Sequence, residues 1–406
     1  MIKVIGVGTG APPPRVAEAA LVVGAKRHLE AAELPAGAER VVLGALEPAL
    51  ERIAEVADGT VVVLASGDPG FFGIVRVLAA RFGPAALDVH PSTPSIAQAF
   101  ARAGLPWDDA AVVSAHGRAL RTAVNVCRAH PKTAVLTGPG AGPAEIGAAL
   151  SGLPRTLLVA HALGTPAEEV VRLSPAEAAT RSWPEAVSVV ISLDESRALA
   201  ATPRTIAGAS VAPAQWALPE ADFDHRDSMI TKFEVRALAL SRLAPRLGDL
   251  VWDLGAGSGS VAIECARLGA AAIAVEKSAD GAERIRANAA AHGVCVQTVH
   301  GTAPAALTGL PDPDAVFVGG GGAELAAVTK AAAHRARRAV VVTLAALDRV
   351  PAVQAELAAA GLAVDGVLLQ SSRLAPLPGE VTRLAATNPV FVLWGLRPEA
   401  LSGAPQ

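Results

Sequence analysis

The chain has 406 residues, 51% of them hydrophobic but only 3% aromatic, and a formal net charge of -3. That length allows two domains, each with its own core. The balance speaks against a nucleic-acid partner, which selects a basic face, and no apolar run approaches the roughly 18 residues of a membrane helix.

Met1-Ile2-Lys3-Val4-Ile5-Gly6 runs straight into a strand, so no secretory signal is expected. Cys127, Cys265 and Cys295 share no metal-ligand spacing. They read as small buried apolar residues in a reducing cytoplasm, with no metal site expected.

Short apolar runs alternate with alanine-rich helical patterns, which predicts α/β layers throughout. In the first half the predicted strands are 3–7, 40–43, 60–65, 87–90, 111–114, 133–136, 155–160 and 186–191. Polar and glycine loops follow several of them. Gly8 lies in Ile5-Gly6-Val7-Gly8-Thr9-Gly10, but Ala11-Pro12-Pro13-Pro14 comes next. Proline fits only the first helical turn and pushes its predecessor toward extended geometry, so a dinucleotide loop fails here. Further loops are Ser66-Gly67-Asp68-Pro69-Gly70-Phe71-Phe72-Gly73, Ser92-Thr93-Pro94-Ser95, Ser114-Ala115-His116-Gly117-Arg118 and Thr137-Gly138-Pro139-Gly140. Each alone reads more readily as a plain turn; their recurrence at strand ends predicts one cleft.

Residues 196–219 hold Pro203, Pro213 and Pro219 and show no period. They place a boundary near residue 205, giving units 1–205 and 206–406. Beyond it, Asp224-His225-Arg226-Asp227-Ser228-Met229-Ile230-Thr231-Lys232-Phe233-Glu234 precedes a helix, as a lid or as a charged loop. Thr231-x-x-Glu234 predicts a capping box.

Strands follow at 249–253, 271–275, 294–299, 315–318, 338–343, 363–370 and 390–394, the last two as an antiparallel end to a parallel sheet. The strongest signal is Asp253-Leu254-Gly255-Ala256-Gly257-Ser258-Gly259, then Ser260 opening a helix and Glu276 closing the next strand. Glycines let backbone approach a ligand, and a carboxylate at that spacing can accept both hydroxyls of a ribose. A plain strand-turn-helix and a nicotinamide oxidoreductase remain open on this turn alone. Ser260 at the sixth position of the fingerprint opposes the oxidoreductase. The pattern fits methyltransferases that use S-adenosylmethionine (SAM). Gly301-Thr302-Ala303-Pro304 would edge the adenine. Phe317-Val318-Gly319-Gly320-Gly321-Gly322 would leave room for a large substrate, or is a flexible loop.

Leu64-Ala65-Ser66-Gly67-Asp68-Pro69 with Phe71-Phe72-Gly73, and Gly104-Leu105-Pro106-Trp107-Asp108-Asp109 running to His116-Gly117-Arg118, resemble the tetrapyrrole methylase family, in its branch methylating precorrin-6Y at C5. Met229-x-Thr231-Lys232-x-Glu234-x-Arg236, the Asp253 turn, Gly301-x-Ala303-Pro304 and Phe317-x-Gly319-Gly320 resemble the decarboxylating C15-methylating family. Together they are similar to the fused precorrin-6Y C5,15-methyltransferases (decarboxylating) of cobalamin biosynthesis. Two loops depart from the pattern. Thr9 and Ala11 replace a proline and an acid in the first loop, and Thr302 replaces an acid in the adenine loop.

The resemblance implies a two-lobed tetrapyrrole methylase domain followed by a Rossmann-like class I methyltransferase domain. It implies one SAM per domain and a precorrin substrate or its cobalt-bound form; apart from it, no membrane partner is expected, and the alanine-rich, patternless surface allows a homo-oligomer (dimer or tetramer). Two methyl transfers to meso carbons 5 and 15, with loss of the ring C acetate as carbon dioxide, need positioning more than a strong base. The cofactor-binding residues implied are Gly8, Gly67, Asp68, Ser95 and Thr137 in the first unit. In the second they are Thr231, Asp253, Gly255, Ala256, Gly257, Gly259, Ser260, Glu276, Gly301, Thr302 and Ala303. Candidate substrate contacts are Arg118, Arg226, Lys232, Arg236, Gly319 and Gly320, the cations facing the substrate's carboxylates. His116 is a candidate proton shuttle and Asp68 a candidate catalytic or loop-shaping acid.

Overall fold

In the computed structural model, residues 1–8, 14–56, 59–184, 188–199, 207–208, 215–226, 230–320 and 322–398 are described. The chain divides into two compact units, Met1–Leu120 with Lys132–Gly208 and Arg121–Pro131 with Ala209–Gln406. The expected boundary at residue 205 lies outside the described residues.

The first unit carries two sheets. β1 (Ile2–Val7), β2 (Leu21–Gly24), β3 (Glu39–Val42), β4 (Val61–Ser66) and β5 (Leu87–His90) form an all-parallel sheet in the order β3-β2-β4-β1-β5. Its inner strands β2 and β4 are continuous apolar runs because both faces are covered. Ile2, Val4, Leu21, Val23, Val61 and Val63 pack on one side with Leu50, Ile53 and Leu78. Val22, Val62 and Leu64 pack on the other with Leu29. β6 (Ala111–Ser114), β7 (Lys132–Leu136), β8 (Thr156–His161), β9 (Glu169–Leu173) and β10 (Ser188–Leu193) form a mixed sheet in the order β6-β7-β10-β8-β9. Only its β6–β7 pair is parallel.

The second unit is a doubly wound sheet. It comprises β11 (Leu250–Leu254), β12 (Ala271–Glu276), β13 (Val296–His300), β14 (Ala315–Val318), β15 (Ala339–Leu344), β16 (Ala363–Leu369) and, after a hairpin of β17 (Ser372–Leu377) and β18 (Val381–Ala386), β19 (Val390–Leu396). The order is β13-β12-β11-β14-β15-β19-β16. β19 lies antiparallel to both β15 and β16, as the sequence predicts. Trp252, Leu254, Ile273, Val316 and Val340 face Val328, Ala332 and Leu357. Val251, Phe317, Val341 and Val392 face Val235, Leu240, Val261 and Cys265.

Four strands are absent from the sequence-based set: β2, β9, β17 and β18. Leu21–Gly24 is four residues inside an alanine-rich run that reads as helix, and only its place beside β4 makes it a strand. No helix among the described residues is long and apolar enough to cross a membrane.

Candidate active site

In the second unit the chain winds outward from β11 through β12 and β13, then returns to β14 on the other side of β11. This reversal opens a crevice at the carboxyl ends of β11 and β14, the general ligand position of such sheets. The glycine turn lies there. Gly255, Gly257 and Gly259 have φ of 71°, 57° and 76°, the left-handed region that costs other residues strain. A Cβ on Gly255 would stand 3.1 Å from the backbone of Gly320. The Gly319 N–H donates to the Leu254 carbonyl at 3.0 Å. The Asp253 turn and the glycine loop are thus joined backbone to backbone, with no side chain between them. Gly321 lies outside the described residues.

Asp253, at the end of β11, is 1% exposed. Its Oδ2 accepts the Ala262 N–H at 3.0 Å, inside the helix that Ser260 opens. Its Oδ1 has no partner among the described residues. Burial above all, with the Glu276 charge adding and the Ala262 N–H opposing, pushes its pKa up to about 7. A buried, half-satisfied carboxyl is costly until a cation reaches it.

Glu276 closes β12. Its Oε2 accepts the Gly257 N–H and its Oε1 the Ser278 N–H, each at 3.0 Å. A Cβ on Gly281 would lie 2.6 Å from the Glu276 Cγ, so a bare helix face makes room for this carboxylate over the turn. Each oxygen keeps lone-pair capacity for a hydroxyl. The Gly301 N–H donates to the Glu276 carbonyl at 2.9 Å, which brings Gly301, exposed Thr302 and half-buried Ala303 to the same edge. Gly255 to Ser260, Asp253, Glu276 and Gly301 to Ala303, with Gly319 and Gly320, therefore meet at the carboxyl ends of β11, β12, β13 and β14.

SAM fits this set. The orphaned Asp253 oxygen suits an ammonium group, the Glu276 carboxylate a vicinal diol, and the glycine backbone a chain that passes close.

The segment before helix Phe233–Leu243 departs from expectation. Lys232, not Thr231, is the N-cap, with no side-chain cap. Glu234 instead bonds Arg373 on β17, and the Phe233 N–H is taken by Glu220 at 3.0 Å. The capping box does not form because a remote arginine takes its acid. Thr231 offers its carbonyl to Arg236 at 2.6 Å.

Arg236 is likewise corrected as a substrate contact. It is 0% exposed and spent on the Thr231 and Leu218 carbonyls, against buried Glu264 at 3.6 Å and over the Phe223 ring. A substrate carboxylate does not reach it here. Arg226 is exposed and Lys232 half-buried, flanking the segment. Asp227 to Met229 lie outside the described residues.

In the first unit the ends of β1, β4 and β5 cross tightly. A Cβ on Gly6 would lie 2.2 Å from the Gly67 carbonyl oxygen and 2.6 Å from the Ser92 nitrogen. The Gly67 N–H donates to Val7 and its carbonyl accepts from Ser92. Gly8, Gly67, Asp68 and the loop into Ser95 therefore gather at one strand-end edge, while Thr9 to Pro13 lie outside the described residues. Asp68 shapes this loop: its Oδ1 accepts the Gly70 N–H at 2.8 Å. Arg118 lies over the Phe72 ring at 5.6 Å.

On the second sheet the exposed His116 sets its Nδ1 3.3 Å from the Thr137 carbonyl. Thr137 is 4% exposed; its hydroxyl donates to the Ser188 carbonyl at 2.7 Å and accepts the Ser188 N–H at 3.1 Å. Its hydroxyl is spent holding β10, leaving only backbone for a ligand. Cys127 and Cys265 are buried and Cys295 is half-buried. Among the described residues no group of three or more His, Cys, Asp or Glu could hold a metal.

Residues 222–396 match the model of the precorrin methyltransferase domain, and residues 1–179 that of the tetrapyrrole (corrin/porphyrin) methylases. Over 322 residues the chain is 42% identical to the precorrin-6Y C(5,15)-methyltransferase [decarboxylating] of Sinorhizobium sp, covering 76% of this chain and 74% of that one. The chain belongs to the precorrin-6Y C(5,15)-methyltransferase (decarboxylating) family. It is 33% identical over 335 residues to the Mycobacterium tuberculosis protein of that name, covering 79% of this chain and 81% of the other. It is also 37% identical over 155 residues to the cobalt-precorrin-7 C(5)-methyltransferase of Salmonella typhimurium, 36% of this chain and 75% of that one.

In this precorrin-6Y C(5,15)-methyltransferase family member, the residues that sequence reading missed are mostly supports. Asn288 bonds both Asp224 and the Ser258 carbonyl of the glycine turn. Glu264, 0% exposed, accepts the N–H groups of Ala217 and Leu218. A lone Asn in the alanine-rich helix Ala279–Ala291 was the only available signal for the first. Arg373 had none, since its partners lie 139 and 153 residues away.

Proposed function

We propose that this chain methylates meso carbons 5 and 15 of a precorrin-6 macrocycle and decarboxylates its ring C acetate. Residues 1–205 act at C5, and residues 206–406 act at C15 with decarboxylation, each unit holding one SAM. The observation that carries the reading is the orphaned, buried Asp253 oxygen beside Glu276, at a crevice where Gly255 and Gly320 meet without side chains. A metal-free substrate is favoured because the fused relatives are named for precorrin-6Y.

When bound, SAM supplies an electrophilic methyl group. In the second unit Asp253 accepts its ammonium group, Glu276 its ribose hydroxyls, and Thr302 borders the adenine. Gly319 and Gly320 admit the face of the macrocycle, and Arg226 and Lys232 hold its carboxylates. The conjugated ring takes up the electron pair released with carbon dioxide, so no strong protein base is required. In the first unit Gly8, Gly67 and Ser95 approach the cofactor by backbone, Asp68 fixes its loop, and Arg118 over Phe72 meets the substrate. His116 is the group there placed to move a proton. Positioning of this kind contributes several kcal/mol, on the order of 7–11 at best.

A homo-oligomer belongs to the same reading. Leu374, Val381 and Leu384 on the β17–β18 hairpin are 79%, 55% and 67% exposed, an apolar surface that another copy would cover. Light scattering reads the state directly.

The full chain, given SAM and the macrocycle, should transfer two methyl groups and release one carbon dioxide per macrocycle, counted by mass spectrometry. Absence of any methyl gain would refute the assignment.

A further inference from the structure

Helix Lys26–Ala31 follows β2, and β2 lies beside β4, whose last residue is Ser66. At this corner Arg27 is held by two neutral groups. Its Nη2 donates to Ser66 Oγ at 2.8 Å and its Nε to His28 Nε2 at 3.3 Å. Ser66 Oγ also lies 3.3 Å from His28 Nε2, closing a triangle. His28 is 7% exposed. Burial first, and then the Arg27 charge, lower its pKa, so its ring is neutral and Nε2 accepts.

Arg27 itself is exposed and pairs with no carboxylate among the described residues, whereas neighbouring Lys26 lies 3.8 Å from Glu30. A guanidinium carries five N–H donors. The triangle uses Nε and one Nη2 proton, and Nη1 has no partner among the described residues. A fixed fork with its charge uncompensated is the arrangement that takes a carboxylate through two parallel hydrogen bonds. Ser66 runs directly into Gly67 and Asp68, at the strand-end edge where Gly6, Gly67 and Ser92 meet.

We propose that Arg27, oriented by Ser66 and His28, anchors a carboxylate of the tetrapyrrole substrate at the first unit's cleft. This rests on the proposed function, which supplies a polycarboxylate substrate. Arg27 is a binding residue for the C5 step, and Ser66 and His28 are positioning residues acting through it.

The test uses the full chain, wild type beside Arg27→Gln, Arg27→Lys and Ser66→Ala, over a range of macrocycle concentrations. Methyl groups transferred minus carbon dioxide released reports the first unit's step alone. Loss of a charge-assisted pair predicts a roughly 10- to 100-fold rise in KM for that step in Arg27→Gln, with kcat nearly unchanged. Arg27→Lys should recover part of it, and Ser66→Ala should raise KM by about 3- to 10-fold. Carbon dioxide release at saturating substrate and the thermal melt should match wild type, which separates loss of an anchor from loss of fold. An Arg27→Gln KM within about twofold of wild type overturns the anchor while leaving the function intact. A wild-type chain that transfers no methyl overturns the function, and this carboxylate with it.

Discussion

Asn288 holds Asp224 at both backbone groups: its Oδ1 accepts the Asp224 N–H and its Nδ2 donates to the Asp224 carbonyl, each at 2.9 Å. The same nitrogen donates to the Ser258 carbonyl at 2.9 Å. One side chain therefore ties the 215–226 segment to the glycine turn. In Asn288→Ala, buried polar groups lose partners, each costing about 1–3 kcal/mol. The expected loss in denaturant titration is roughly 2–4 kcal/mol, with weaker SAM binding by the second unit. Asn288→Asp keeps the acceptor, drops the donors and should fall between. A variant as stable as wild type would refute the clamp.

Gly255→Ala tests the close approach. The residue has φ of 71°, and its new Cβ would meet the Gly320 backbone at 3.1 Å. Left-handed strain alone costs about 1–2 kcal/mol, and the backbone contact cannot yield as a side chain tip would. Calorimetric titration with SAM should lose one of two binding events, and product analysis should show one methyl transferred without carbon dioxide release. Retention of both methyl groups would separate this turn from the C15 step.

The second unit was more legible than the first because its chemistry sits in consecutive residues. Asp253 to Ser260 and Glu276 carry their spacing in one strand-turn-helix-strand, and the structure brings them to one crevice. The first unit gathers its edge from Gly6, Gly67 and Ser92, three loops whose joint meaning appears only when β1, β4 and β5 align. Arg236 stands in a matched motif and Thr137 in a strand-end loop, but their burial was not legible in either: Arg236 is spent on the Leu218 and Thr231 carbonyls, and the Thr137 hydroxyl on Ser188. Composition hid β2, whose four residues continue an alanine-rich stretch.

Asp253 should make the second unit pH-sensitive. Its folded pKa is about 7, against an ordinary value of 3.8. Below about pH 4 the carboxyl is protonated folded or unfolded, and it adds no penalty. From there to pH 7 the unfolded chain ionises first, so stability falls with rising pH by at most about 1.4 kcal/mol per unit, then levels off. Asp253→Asn should flatten that slope. SAM affinity runs the other way, because its ammonium group needs the ionised carboxylate: binding should weaken by up to about tenfold per unit below pH 7. Equal pH dependence in wild type and Asp253→Asn would show that another group titrates.

Arg373 should set the acid limit of the segment that leads into helix Phe233–Leu243. Its guanidinium meets Glu220 at 2.7 Å and Glu234 at 2.6 Å. Burial pushes the Glu220 carboxyl up, but the Arg373 hydrogen bonds and the Phe233 N–H outweigh it and hold its pKa at about 2. The Arg373 bond likewise lowers Glu234. A depressed carboxylate stabilises the fold above its ordinary pKa of 4.5, and the contribution is lost as pH falls toward 2. Arg373 is 39% exposed, so solvent limits the pair to about 1 kcal/mol. Arg373→Met should remove most of the acid-dependent loss between pH 4.5 and 2, and lower stability at pH 7 by about that amount. Hydrogen exchange at the Phe233 amide should quicken in the variant, because Glu220 accepts that N–H only while the guanidinium holds it. Unchanged protection at Phe233 would mean that Glu220 keeps its place without Arg373.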